Sequence, residues 1–187
     1  FALDYGLVKG LKFGIFHSVS AFCNAGFDLL GEEKAFTSMS AYVDDPVICL
    51  TLIALIVIGG LGFFVWSDLY EKRAFRRFRL HTKLTLITTG ALLLSGWLLT
   101  LWFEWTNPDT LGALGTPGKL LAAAFQSATL RTAGFSALDQ GALTGSSQGL
   151  AVVFMLIGGS PGSTAGGMKT VTIAVLLMTA WTAICGR

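Results

Sequence analysis

The hydrophobic positions of this chain fall into runs of two lengths. Val47 to Trp66 and Leu84 to Phe103 are each 20 residues without a charge. At about 1.5 Å per residue, such a helix covers about 30 Å, the thickness of a bilayer core. Pro46 suits a first helical turn, and Trp97, Trp102 and Trp105 suit an interfacial belt at the outer end of the second span. Leu11 to Cys23 and Lys119 to Leu130 are also apolar but too short to span, so they predict buried or re-entrant helices. The last apolar segment, from near Gln148, is interrupted. Leu150 to Ile157 and Val171 to Ile184 flank G-G-S-P-G-S-T-A-G-G, residues 158–167, whose glycines and proline are the poorest helix formers. Irregular backbone at membrane depth survives only where protein buries it or a water-filled cavity borders it. Residues 1–10 are mixed and predict no element.

These pieces repeat. A shift of 108 places Ala25 on Ala133, Gly26 on Gly134, Phe27 on Phe135 and Leu30 on Leu138. Each copy is A-G-F after a short apolar segment. The following spans share I-G-G, Ile58-Gly59-Gly60 and Ile157-Gly158-Gly159, which lies 12 residues beyond Pro46 and 11 beyond Ser146. That depth is about 17 Å along a helix, near the bilayer middle. The first copy continues through Leu61-Gly62 as apolar helix, whereas the second inserts residues 160–167.

Composition agrees with a membrane location: 53% of residues are hydrophobic and 13% charged, against about 25% charged in soluble domains. The net charge of +2 matters less than its distribution. Glu71 to Lys83 carries Lys72, Arg73, Arg76, Arg77, Arg79 and Lys83 against Glu71 alone, which places this loop in the cytoplasm by the positive-inside rule. Both A-G-F segments then dip in from the outer face. Asp4, Asp28, Glu32, Glu33, Asp44, Asp45, Glu104, Asp109 and Asp139 fall on that outer side, with Lys34 the base among them, and an acidic vestibule there would concentrate cations. The chain opens on Phe1 without a signal peptide and stops at Arg187 after an apolar run, the pattern expected of an internal piece of a longer protein. Cys23, Cys49 and Cys185 are an odd number beside apolar segments and predict no disulfide framework.

A re-entrant helix that turns back through glycine leaves backbone carbonyls able to replace a cation's hydration shell. Its C-terminus adds about half a negative charge. The candidate ion-selective segments are Cys23-Asn24-Ala25-Gly26-Phe27 and Arg131-Thr132-Ala133-Gly134-Phe135, with the carbonyls of Asn24, Ala25, Gly26, Thr132, Ala133 and Gly134 as ligands for a cation. Arg131 reads either as an electrostatic barrier or as tethered to a helix end or acidic loop. His17 and His81 lie on opposite sides of the membrane and predict no shared metal site. No nucleophile, base or metal cluster converges at one depth, which argues against an enzyme. Gly162 to Thr170 resembles a phosphate-binding loop, but Met168 breaks the G-K-[ST] spacing and an apolar helix precedes it. Lys169, the one charge between Asp139 and Arg187, is placed to hold the interrupting loop through a partner in a part of the protein outside this sequence.

F-H-S-V-S-A-F-C-N-A-G-F (residues 16–27), T-L-R-T-A-G-F (129–135) and G-G-S-P-G-S-T-A-G-G-M-K-T (158–170) resemble the Trk/Ktr/HKT cation transporters, most closely the bacterial KtrB-type subunits. The resemblance implies an all-α membrane protein of M1–pore loop–M2 units. Residues 1–70 would be a second repeat lacking its M1, 71–83 a cytoplasmic loop, and 84–187 a third repeat with a broken M2. It implies Gly26 and Gly134 as filter glycines, and Gly158, Gly159, Ser160, Pro161, Gly162, Ser163, Thr164, Ala165, Gly166 and Gly167, with Lys169, as a gating loop. Cys23 stands where Asn is frequent in the family. The implied function is sodium-dependent potassium uptake, not enzymatic, by a multi-pass protein of the bacterial cell membrane. The implied ions are K⁺ and Na⁺, with no organic cofactor. The implied partners are membrane lipid, a second copy and a cytosolic ring of nucleotide-binding regulatory subunits, without nucleic acid. The competing readings are a sodium or poorly selective cation permease of this fold and a non-conducting membrane sensor.

Overall fold

A computed structural model describes residues 1–32 and 38–186. Glu33, Lys34 and Arg187, used above in the charge argument, lie outside the described residues. The described chain is all-α: α1 (Ala2–Phe22), α2 (Pro46–Leu61), α3 (Phe63–Lys72), α4 (Leu80–Glu104), α5 (Thr116–Thr129), α6 (Gly145–Leu156) and α7 (Thr170–Ile184).

The helix α4 is long and apolar enough to cross a membrane, and its 25 residues measure about 37 Å. Its packing is inside-out relative to a soluble helix. Thr82, Thr85, Thr89, Gly96, Thr100 and Glu104 are buried, whereas Ile87, Leu94, Leu98 and Trp102 are exposed. Small and hydroxyl residues let helices approach where lipid gives apolar side chains no reason to hide. A Cβ on Gly96 would sit 2.5 Å from Ser127 Oγ, which instead donates to Leu93 O at 2.7 Å and fastens α5 to α4. Of the three expected belt tryptophans, Trp102 is exposed, Trp105 stacks under Lys119 Nζ at 4.8 Å, and Trp97 donates to Leu120 O at 3.0 Å.

The first expected span is not one straight helix. Asp45 caps α2 by accepting from Val47 N and Ile48 N at 2.9 and 3.2 Å, but the helix ends at Leu61. α3 then leaves at 92°. The break is at Gly62, with φ +82 and ψ 158, a region essentially closed to other residues. The basic segment is correspondingly shorter than expected, because α3 runs to Lys72 and α4 starts at Leu80. Asp68 of α3 joins them, pairing with Lys72 Nζ at 2.8 Å and accepting from Arg79 N at 2.8 Å.

The short apolar segments are helices, and both begin earlier than the sequence suggests. α1 starts at Ala2 and kinks at Gly6, φ +76. α5 starts at Thr116 with Pro117 in its first turn. α6 likewise begins at Gly145, where Thr144 caps it, rather than near Gln148. α1 packs on α2, and α5 lies between α2 and α4. Their shared core holds Phe13, Ala21, Leu52, Ile56, Phe125 and Phe135.

Candidate functional site

The ends of α1 and α5 have the same backbone. Asn24 and Thr132, related by the shift of 108, have φ +50 and +63, and Gly26 and Gly134 have φ +72 and +89. The left-handed residue follows the cap directly at Asn24 and two residues later at Thr132, and main-chain bonds from Ala25 N to Ser20 O, five residues back, and from Ala133 N to Thr129 O, four back, close the turns at 2.9 and 3.1 Å. Asn tolerates this conformation, but a β-branched threonine is a genuine outlier there. A hydroxyl near each helix end donates to the carbonyl of the A-G-F phenylalanine: Ser20 to Phe27 O at 2.8 Å and Thr129 to Phe135 O at 2.5 Å.

The two turns meet. A Cβ on Gly26 would lie 2.5 Å from Ala133 O and 2.7 Å from Gly134 Cα, and one on Gly134 would lie 3.0 Å from Gly26 Cα. Only glycine allows this approach. A cavity of about 330 Å³ beside them is lined by Ala25, Thr132, Ala133, Gly134 and Phe135, among others. The surroundings of the turns differ: Phe135 is buried in the core while Phe27 is 70% exposed.

Residues 158–167 form a closed loop, as their composition predicts. Main-chain bonds join its ends: Gly158 N to Met168 O, Met168 N to Leu156 O and Thr170 N to Gly159 O, each 3.0 Å. Gly162 and Gly167 take φ +74 and +70. Within this chain Lys169 is held by its own loop: its Nζ donates to Ala165 O at 2.7 Å.

The loop reaches α2 and both turns. Toward α2, Ser160 N donates to Gly60 O at 3.0 Å, Thr164 N to Gly59 O at 3.4 Å and Ser160 Oγ to Leu61 O; Gly162 O accepts from Phe63 N at 3.1 Å. These bonds satisfy carbonyls that a broken helix leaves orphaned, which explains how α2 can end at Leu61, where the sequence predicts continuous helix. The two I-G-G motifs therefore meet. Toward the first turn, Thr164 Oγ1 donates to Phe22 O and accepts from Asn24 Nδ2, both at 2.9 Å. Toward the second, Thr132 Oγ1 accepts from Gly166 N at 3.0 Å, and Arg131 Nη2 donates to Gly158 O at 3.3 Å. Arg131 is buried at 5% exposure, and no carboxylate pairs with it among the described residues. It is tied to the carbonyl just past the end of α6, not to an acidic loop.

The remaining candidates resolve simply. His17 is buried, with Nδ1 on Phe13 O at 2.7 Å and Nε2 accepting from Leu29 N at 3.3 Å; it shapes the turn. The three cysteines are free, and the described residues hold no cluster of metal-ligating side chains. Residues 162–170 lie between two helices, where no strand precedes them. Glu104 is misjudged as a vestibule charge. It is buried and accepts from Asn107 Nδ2 (2.7 Å), Thr110 Oγ1 (2.6 Å), Thr144 N (2.9 Å) and Thr144 Oγ1 (2.7 Å), pinning α4 to the start of α6. The following Asn107 and Thr110, polar residues at turn spacing, are the signal that marks it.

An all-α bundle with outward-facing apolar residues, paired glycine turns and a looped helix is the architecture of a membrane transport protein. The chain belongs to the TrkH family, described as cation transport protein, which it matches over residues 2–184. It is 43% identical over 181 residues to the Ktr system potassium uptake protein B of Vibrio alginolyticus, covering 96% of this chain and 39% of that one. It is 40% identical over 178 residues to the potassium/sodium uptake protein NtpJ of Enterococcus hirae, covering 95% and 38%. The chain thus spans under two fifths of the length of these relatives. The crystal structure of the potassium transporter TrkH from Vibrio parahaemolyticus has the same fold, with a TM-score of 0.69, 22% identity, and coverage of 94% of this chain and 36% of that one.

Proposed function

We propose that this chain supplies two pore loops of a potassium pathway across the bacterial cell membrane, with residues 158–167 as its gate. The carbonyls of Asn24, Ala25, Gly26, Thr132, Ala133 and Gly134 act as ligands for the passing ion. The observation that carries this reading is the pair of turns: the same positive-φ residues, 108 positions apart, facing each other at glycine. Each turn sits at a helix C-terminus, whose partial negative charge favours a cation. In this reading residues 1–70 and 84–187 are consecutive repeats joined by the cytoplasmic segment 71–83. The potassium uptake activity named for the Vibrio relative supports potassium as the ion. The name of the Enterococcus relative favours, as the second reading, a pathway that also carries sodium or couples to it. The family likeness extends the proposal to a second copy in the membrane and a cytosolic ring of nucleotide-binding regulatory subunits as partners. The test is rubidium and sodium uptake by the full-length protein in a cell lacking other potassium uptake. Robust rubidium uptake supports the reading. Its absence from a correctly inserted protein favours a non-conducting sensor.

A further inference from the structure

The loop makes two sets of bonds that share one residue. Its tip, Ser160 to Gly162, bonds to the break between α2 and α3 through Gly60 O, Leu61 O and Phe63 N. Its far limb, Thr164 to Gly166, touches α2 only through the long Thr164 N to Gly59 O bond of 3.4 Å, and the Thr164 hydroxyl and Gly166 N bond to the two glycine turns. The limb's partners on the turns are the side chains of Asn24 and Thr132, the pair related by the shift of 108. Both have positive φ, a conformation that Asn24 tolerates and that the β-branched Thr132 keeps only where the surroundings over-determine it. At the first turn Thr164 fixes the direction of the Asn24 side chain. Its hydroxyl proton goes to Phe22 O, the last carbonyl of α1, while its oxygen takes the Asn24 amide. At the second turn, Gly166 N supplies a donor to the strained Thr132. Neither contact is needed to close the loop on itself, since the bonds between Gly158, Met168 and Thr170 and the Lys169 ammonium do that.

We infer that the limb is a buttress and that Thr164 is a positioning residue for ion selectivity, acting on the turns through Asn24. The gate is then the tip alone: it swings on the 158–162 side while Thr164 and Gly166 stay attached and keep the turns in shape. This rests on the reading of the turns as the ion-selective segment. Thr164 itself is not a ligand of the ion; it holds in place the segment that supplies the ligands.

The experiment compares Thr164→Val and Thr164→Ser in the full-length protein, reading the ratio of sodium to rubidium uptake together with total flux. Thr164→Val keeps the shape and removes the hydroxyl. It should raise the ratio by about fivefold, the factor equivalent to the one bond of about 1 kcal/mol through which it acts on the turn, that from Asn24 Nδ2. Thr164→Ser restores both bonds and returns the ratio to the wild-type value. Thr164→Ala removes the same hydroxyl with a smaller side chain, and it gives the same shift where the valine protein does not reach the membrane. Higher flux at an unchanged ratio would overturn the inference, because the loop would then move as one piece. An equal shift from Thr164→Ser would overturn it too, since the hydroxyl would not be the agent. Failure of the underlying reading looks different: wild-type protein carries no rubidium, or the turn glycines can be replaced without changing the ratio.

Discussion

Gly62→Ala should loosen the gate without touching either turn. At φ +82 and ψ 158, Gly62 lies in a region essentially reserved for glycine, and alanine there costs about 1–3 kcal/mol. The new Cβ would also sit 2.8 Å from Ser160 Oγ, 2.9 Å from Pro161 O and 3.0 Å from the Gly162 carbonyl carbon. Two of those neighbours are backbone of the loop tip, so the tip has to give. It is held there by Ser160 N on Gly60 O, Phe63 N on Gly162 O and Ser160 Oγ on Leu61 O. At about 1 kcal/mol each, those bonds total about 3 kcal/mol, the same size as the strain. A loss of about 2 kcal/mol raises the fraction of open loops about thirtyfold while that fraction is small. The assay is basal rubidium flux through the full-length protein in vesicles, normalised to inserted protein. Gly90→Ala is the control, since an added Cβ there meets nothing within 4 Å. Flux should rise for Gly62→Ala and stay level for Gly90→Ala. A well-inserted Gly62→Ala protein with wild-type flux would refute the argument that the helix break and the tip support one another.

Deleting residues 160–166 should raise basal rubidium flux further and also shift the ratio of sodium to rubidium uptake, because it removes the tip and the limb together; zero flux with normal expression and folding would make the loop structural instead. Glu104→Leu should cost about 3 kcal/mol, since it leaves Asn107, Thr110 and Thr144 without the carboxylate they bond to. Its melting temperature in detergent should fall well below that of the wild type, and an unchanged value would mean that this hub does not pin α4 to α6.

Much of this arrangement was legible because local chemistry dictates it. The paired A-G-F turns follow from short apolar segments that end in glycine. The loop follows from residues that no helix accommodates, and α4 from an uninterrupted apolar run. The break at Gly62 was not legible. Ile58 to Trp66 is as apolar as any span, and glycine inside a helix costs only about 1 kcal/mol. The bend depends on donors from Ser160 and Thr164, about a hundred residues away in sequence. Partners of single charges were only partly legible for a related reason. Arg131 is tethered at a helix end, one of its two expected anchors, and Lys169 is held within its own loop; both meet backbone carbonyls that exist because the loop is irregular. Glu104 reads as a surface acid until the turn after α4 folds back and wraps it with donors.

A single ion-selective site requires the two turns to be equivalent. The most direct measurement is the ratio of sodium to rubidium uptake for Gly26→Ser and Gly134→Ser, each in the full-length protein. Both sites have positive φ, +72 and +89, and in both an added Cβ meets the opposing turn. Both variants should therefore alter the ratio, and in the same direction. Wild-type ratios in both variants, or a change confined to one of them, would contradict the claim that these turns form one ion-selective site.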